Sequence, residues 1–299
     1  MSSLPRPDGP AVVALGGGHG LAVALRAVRR YAGSITAVVS MADDGGSSGR
    51  LRRELGVPPP GDLRKCLVAL ADDRRPWNHV FEHRFAGGEL EGHALGNLVL
   101  AGLVGSMGDL VAALDEAADL LHAAGRVLPA TTDAVVLKAD VDGGAIEGQV
   151  AVSNTDARIR RVELVPRDAP ACPDAVSAVK HADQVVLAPG SLYTSVVPVL
   201  CVADLRRAVA ETVAPVVQVA NLRPQVPETA GLDATDHLRA VVEHGGRVGS
   251  FLYQENGELE ADDDAIRDLG ARPVAVDVAC ADGHAHDPER LAVALSAVV

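Results

Sequence analysis

Gly16-Gly17-Gly18-His19-Gly20 closes a short apolar run, and glycines without a Cβ let the backbone approach a ligand closely. The turn opens a helix whose free N–H groups attract anions, which suits a phosphate. It departs from a dinucleotide fingerprint. Reading G-x-G-x-x-G from Gly16 puts Leu21 at the third glycine, and no lysine follows to make a Walker A loop. A merely tight strand-to-helix turn would read the same way. Asp43 and Asp44 close the next strand at the same edge, about where a ribose-binding acid is expected. Carboxylates there could hold ribose hydroxyls, a ring nitrogen or a magnesium ion. The run Gly45-Gly46-Ser47-Ser48-Gly49 behind them is too glycine-rich and polar for an ordinary connection, so Ser47 and Ser48 join the candidates; the alternative is a solvated flexible loop.

Basic residues follow. Arg50 comes directly after the glycine run, with Arg52 and Arg53 beyond it. Asp62 reads as an N-cap, and Arg64 and Lys65 sit in the first turn of its helix, where the macrodipole disfavours cations. A bound phosphate or nearby acids would compensate them, as would plain solvation. His93 and Asn97 in Gly92-His93-Ala94-Leu95-Gly96-Asn97 could face a ligand or cap a helix. A second strand-end turn, Pro189-Gly190-Ser191-Leu192-Tyr193-Thr194-Ser195, offers N–H groups and hydroxyls to an anion, with Gly190, Ser191, Tyr193, Thr194 and Ser195 as candidates. It lacks the G-x-S-x-G elbow, so Ser191 is not read as a hydrolase nucleophile. Asn221, with Arg223, Gln225 and Glu228 beyond it, either completes the pocket or caps the next turn. His79-Val80-Phe81-Glu82-His83 matches H-x-x-E-H, but no third zinc ligand is evident downstream, so an ordinary helix surface is favoured. His284 and His286 have no matched partners and are assigned to a surface loop.

These residues need a sheet behind them. Ala11–Leu15 is a continuous apolar run bounded by glycine, the pattern of a buried parallel strand. Leu21, Leu25 and Val28 fall at i, i+4 and i+7, which predicts a helix packed on one side, and Ser34–Met41 completes a βαβ unit. Residues 42–49 read as a loop, and a short basic helix follows over 50–55. Residues 77–124 are helical with glycine interruptions, an insertion between parts of the sheet. From Arg126 the pattern changes to alternation. Strands are expected near 135–137, 145–146 and 161–165, partly antiparallel, before the α/β rhythm resumes with strands near 184–187, 216–219, 248–252 and 274–276. The fold class is therefore α/β: a Rossmann-like, mostly parallel sheet with helices on both faces, a helical insertion and a small antiparallel β addition. Residues 1–10 are expected to be disordered and 11–299 to form a single domain.

Composition narrows the partners. A formal net charge of −13 argues against a broad basic face for nucleic acid, and 2% aromatic residues leaves little for base stacking. The four cysteines lie far apart with no C-x-x-C pair, which argues against a zinc knuckle, a redox motif or a disulfide framework and fits a reduced cytosol. There is no signal-peptide h-region and no membrane-length apolar stretch, so a cytoplasmic protein is expected. A homo-oligomer is compatible with the sequence.

Taken together, G-G-G-H-G, M-A-D-D-G-G-S-S-G-R-L-R-R-E-L-G, P-P-G-D-L-R-K-C-L-V-A-L, G-H-A-L-G-N-L, G-R-V-L-P-A-T, A-P-G-S-L-Y-T-S-V and the N-L…Q…E-T…G stretch at 221–231 resemble the YvcK family of gluconeogenesis factors, relatives of the CofD phospholactate transferases. The resemblance runs from about residue 11 to the C-terminus. It implies a CofD-like fold in a bacterial cytoplasmic protein that binds uridine-diphosphate (UDP) sugars and supports growth on gluconeogenic carbon, envelope synthesis and normal cell shape, acting on metabolic or cell-envelope protein partners. In the transferase relatives, the aspartates matching Asp43 and Asp44 lie at a deazaflavin substrate, and a metal assists phospholactyl transfer from a nucleotide diphosphate. This chain departs from the family pattern at His19, where threonine is common. It departs again at Ala285-His286-Asp287-Pro288, where relatives can read Arg-His-Asp-Thr and an arginine would suit a diphosphate. The first expectation is a nucleotide-sugar-binding regulator and the alternative is a CofD-like transferase. A nicotinamide-dependent oxidoreductase is undercut by the missing third glycine. On either leading reading, Asp44→Asn is expected to weaken ligand binding and spare ligand-free stability.

Overall fold

A computed structural model describes residues 8–299; residues 1–7, most of the segment expected to be disordered, lie outside them. The chain runs β1 (Ala11–Gly16), α1 (Gly18–Val28), β2 (Ser34–Val39), α2 (Gly46–Leu55), α3 (Pro60–Leu70), α4 (Trp77–Glu82), α5 (Leu95–Met107), α6 (Leu110–Leu121) and β3 (Arg126–Pro129). It continues through β4 (Val136–Val141), β5 (Gly144–Glu147), α7 (Gln149–Ser153), β6 (Ile159–Val165), α8 (Pro173–Lys180) and β7 (Gln184–Leu187). A π-helical turn, Leu192–Val196, leads into α9 (Val197–Cys201) and α10 (Ala203–Glu211). The last elements are β8 (Val216–Val219), α11 (Ala234–Glu243), β9 (Ser250–Gln254), α12 (Asp263–Asp268), β10 (Arg272–Val276) and α13 (Pro288–Ser296).

Seven strands form a parallel sheet in the order β10-β9-β8-β7-β1-β2-β3. The chain builds outward from β1 through β2 to β3, then returns to β7 on the other side of β1 and builds outward again. The order therefore reverses between β1 and β7. Loops leaving these two strands part there and open a crevice at their carboxyl ends. Val12–Leu15 and Val185–Leu187 are almost fully buried, which is why both segments are continuous apolar runs rather than alternating ones. Helix α1 packs on α3 and α13, while α8, α9 and α10 pack together elsewhere on the sheet. The antiparallel addition is a three-stranded sheet, β5-β4-β6.

Two local expectations need correction. The glycine run is not a loop up to residue 49, because α2 begins at Gly46. A tertiary contact overrides its weak helix propensity, since Ser48 Oγ accepts the Gly61 N–H at 3.0 Å; locally, a Cβ on Gly49 would lie 1.9 Å from the Asp44 carbonyl oxygen, so that position needs glycine. Asp62 is not an N-cap either. Pro59 holds that position and Asp62 lies inside the first turn of α3. Among the described residues, no helix is long and apolar enough to cross a membrane.

Candidate functional site

The crevice at the β1–β7 reversal is a two-lobed cleft, each lobe about 240 Å3. Its floor is the turn from β1 into α1. Gly17 is extended, and a Cβ there would lie 2.7 Å from Asp62 Oδ2 and 3.2 Å from the Ser195 Cβ, so only glycine lets both neighbours close in. The polar lobe is walled by Gly17–Gly20, Ser40, Asp43, Asp62, Lys65, Gln149 and the 190–195 turn. Asp62 Oδ2 accepts the Gly18 N–H at 2.7 Å and its Oδ1 meets Lys65 Nζ at 3.0 Å. A carboxylate thus sits on the first N–H of α1, and Lys65 balances it. Burial first, and the Asp62 charge second, push the Asp43 carboxyl upward; the Gly45 N–H, donating to Oδ1 at 3.0 Å, works against them. His19 stands where the lobes meet. Loss of solvent and then the Lys65 cation lower its pKa, which favours the neutral imidazole at pH 7.

The other lobe lies toward β8 and carries more apolar surface, with Val23, Pro189, Leu222 and Pro224 beside Arg223, His284 and His286. Asn221 locks its edge: its Oδ1 accepts the Gly190 N–H at 2.7 Å while its Nδ2 donates to the Gly190 carbonyl at 2.9 Å. Glu228 holds the π-helical turn in place. Buried itself, it accepts the Tyr193 N–H at 2.7 Å and the Thr194 hydroxyl at 3.1 Å; burial pushes its pKa up and these donors oppose the shift. His286 is not in a surface loop, as the sequence suggested. It is 9% exposed, its Nε2 lies 3.1 Å from the Ala220 carbonyl, and burial lowers its pKa to about 4. His284 is exposed and bonds Arg223 Nη1 at 2.8 Å.

The structure divides the remaining candidates between wall and interior. Ser47, Arg64, His93 and Asn97 do not line the cleft. They form a buried chain behind it: His93 Nδ1 to Ser47 Oγ at 2.9 Å, Asn97 Nδ2 to the same Oγ at 2.9 Å, and Arg64 Nε to Asn97 Oδ1 at 3.0 Å. A guanidinium with partners of this kind is stable inside α2, α3 and α5 without a ligand. Ser48 bonds the α3 start, and Arg50 donates to the Glu91 carbonyl. Gly16 is the last residue of β1, and Tyr193 turns away to a separate cavity with Arg158 and Asp236. His79, Glu82 and His83 are exposed, and no group of three or more His, Cys, Asp or Glu among the described residues is arranged to hold a metal.

The aspartate pair also splits. Asp43 faces the cleft, whereas Asp44 Oδ2 and Oδ1 accept the N–H groups of Gln149 and Val150, both at 2.9 Å, at the start of α7. Asp44 is therefore a clamp that fixes Gln149 in the cleft wall. Asp44→Ala is expected to cost about 1–2 kcal/mol as a lost cap. A ligand-free melting temperature several degrees below that of the unaltered chain would show it, in contrast to the sequence expectation that stability is spared. An unchanged melting temperature would return Asp44 to the ligand.

Lys65 belongs to the wall although Arg64 does not. Positions 62 and 65 share a helix face at i, i+3, and position 64 points elsewhere, a distinction the spacing already contains. Ser40 and Gln149 carried no signal in the sequence.

Comparison with known proteins agrees with this architecture. The family model described as 2-phospho-L-lactate transferase CofD matches residues 12–289. The chain is 46% identical to a Mycobacterium leprae protein named "Putative gluconeogenesis factor", over 97% of this chain and 86% of that one. It is 43% identical to a Halalkalibacterium halodurans "Gluconeogenesis factor", over 79% of this chain and 74% of that one. A crystal structure of a UPF0052 family member from Bacillus halodurans superposes with a TM-score of 0.92 at 36% identity, covering 97% of this chain and 99% of that one. The chain belongs to the CofD family and, within it, to the gluconeogenesis factors of the YvcK type.

Proposed function

We propose that the chain binds a UDP sugar across the two-lobed cleft and acts in the cytoplasm as a regulator of gluconeogenic carbon use, envelope synthesis and cell shape. One observation carries the reading: the two lobes share His19, Gly20, Gly190 and Gln225, so an elongated ligand can cross the glycine turn between them. A diphosphate over that turn would meet the His19 and Gly20 N–H groups of the first turn of α1, the Gly18 N–H being held by Asp62, and the Lys65 ammonium. Arg223, beside the more apolar lobe, supplies the cation that Ala285 does not.

The transferase reading is favoured by Asp43 and Asp62, which both face the polar lobe. Two carboxylates fit magnesium only with help from substrate phosphate oxygens, the usual arrangement for that ion. Once bound, it would neutralise charge on a nucleotide diphosphate, with Asp43 and Asp62 holding it.

Calorimetry against UDP-N-acetylglucosamine, guanosine diphosphate and NAD, each with and without magnesium, separates the readings. Binding of the uridine ligand without turnover is expected. Lys65→Ala should weaken it by roughly tenfold or more, since a charge-assisted hydrogen bond contributes about 1.5–3 kcal/mol, with the ligand-free melting temperature as the control for folding. Magnesium-dependent consumption of a nucleotide-linked phospholactate donor with deazaflavin would instead establish the transferase.

A further inference from the structure

A third cavity of about 320 Å3 lies away from the cleft and shares no lining residue with it: Arg161, Val162, Glu163, Leu164 and Arg167 from β6 and its end, Cys201, Ala203 and Arg206 from α9 and α10, and His244 after α11. We infer that it is a second binding site, for the phosphate group of a small metabolite, formed where Arg161 and Arg206 both line the cavity beside the open edge of β6.

Among the described residues strand β6 pairs only with β4, so its other edge is turned toward α9, α10 and the end of α11. Part of that edge is already satisfied. The Val162 N–H donates to His244 Nε2 at 3.0 Å and the Cys201 thiol donates to the Val162 carbonyl at 3.5 Å. His244 Nδ1 lies 2.6 Å from the Ala240 carbonyl, which fixes the neutral tautomer with its proton on Nδ1. Leu164, two residues on, turns its backbone N–H to the same side as Val162. It lines the cavity and is a donor available to an incoming anion.

The charge around this donor is positive in a chain whose net charge is −13. Glu163 is the one acid in the lining and is held by Lys138 and Arg167. Asp204, in the first turn of α10, pairs with Arg207. Arg206 is fixed: its stem packs where a side chain on Gly245 would sit, and its Nη1 donates to the Leu200 carbonyl at 3.1 Å. Arg161 makes no side-chain hydrogen bond or ion pair among the described residues. Both guanidiniums are near enough to act on the Cys201 thiol, which burial nonetheless pushes up to about 12. A raised pKa leaves little thiolate near neutral pH, so the cavity is read through its cations and not through this thiol. Helix α10 adds its N-terminus at Ala203, where no side chain caps it. Two guanidiniums, a strand-edge N–H and a helix N-terminus form a donor set for phosphate oxygens.

The test is an NMR titration of the 15N-labelled full chain with inorganic phosphate, glycerol 3-phosphate and glycerol at constant ionic strength. Shifts at the amides of Val162, Leu164 and Ala203 are expected with both phosphates and not with glycerol, and the tighter of the two names the source as free phosphate or phosphomonoester. Arg161 is exposed and unpaired, so Arg161→Ala should fold normally while weakening these shifts by about tenfold. Arg161→Lys should retain part of the affinity. Shifts confined to Gly17–Gly20, shifts reproduced by sodium chloride, or an Arg161→Ala titration matching that of the unaltered chain would overturn the site.

Discussion

Gly20→Ala is expected to be the most damaging single-methyl change in the cleft. A Cβ at residue 20 would lie 1.9 Å from the Pro189 carbonyl oxygen and 2.9 Å from the Gly190 Cα. Both obstacles are backbone, so no side chain can rotate to relieve the clash. Either α1 or the end of β7 must move, and each is tied to the sheet interior by fully buried neighbours, Leu21 on one side and Leu187 on the other. Forcing volume into a packed site costs typically about 1–3 kcal/mol, and a backbone clash at this separation places Gly20→Ala at or above the top of that range. Gly18→Ala supplies the contrast. Gly18 has φ +62 but open space beyond its Cα, so alanine there meets only the left-handed backbone penalty of about 1–2 kcal/mol. Thermal or urea unfolding should therefore rank Gly20→Ala well below Gly18→Ala in stability. The reverse order would mean that α1 does not pack on the Pro189 turn as described.

That contact explains how a weak glycine signal came to mark a strong site. Gly20 provides the close helix-to-strand approach that a third glycine, replaced here by Leu21, supplies in a dinucleotide fold. The central strands were legible because strands buried on both faces are apolar without alternation. The resumed α/β rhythm was legible too, but the return to the other side of β1 was not, because strand order is set by pairing between distant segments. Helices α7 and α12, of five and six residues, are too short for a period to show. Residues 46–49 were read as a loop because glycine and serine have poor helix propensity, and the contact of Ser48 with the start of α3, thirteen residues on, decides otherwise. The same limit applied to the site. Asp62 and Lys65 share a face by spacing alone, but Gln149 reaches the cleft through Asp44, a contact spanning 105 residues. Arg64, His93 and Asn97 were drawn into the site because polar residues near helix starts suit ligands and interior networks equally well.

Acid should unfold this protein through two histidines in particular. Burial lowers the pKa of His237 and of His286 from about 6.5 to about 4. A depressed folded-state pKa means that the unfolded chain takes up protons first, so the stability these groups contribute is complete above pH 6.5 and is lost as the pH falls toward 4. At 1.36 kcal/mol per pH unit, each histidine removes on the order of 3 kcal/mol across that window, a large fraction of the stability of an ordinary domain. Among the described residues His237 Nε2 is buried without a hydrogen-bond partner, so a proton there meets no acceptor among them, whereas His286 already has Nε2 against the Ala220 carbonyl. Asp43 and Glu228 act in the opposite sense. Burial raises their folded-state pKa values, so the folded chain binds their protons more readily and they recover some stability as the solution becomes acidic. The histidine contribution is isolated by difference: urea midpoints between pH 7 and pH 4 should fall less steeply for His237→Leu and for His286→Gln than for the unaltered chain. Unchanged slopes would mean that these rings are solvated. The two positions part company when ligand is added. His286 lines the cleft and His237 does not. On the reading that a diphosphate occupies the cleft, its negative charge favours the imidazolium at His286 and brings its folded-state pKa back toward the unfolded value, so saturating UDP-N-acetylglucosamine should shrink the His286 part of the acid loss and leave the His237 part in place.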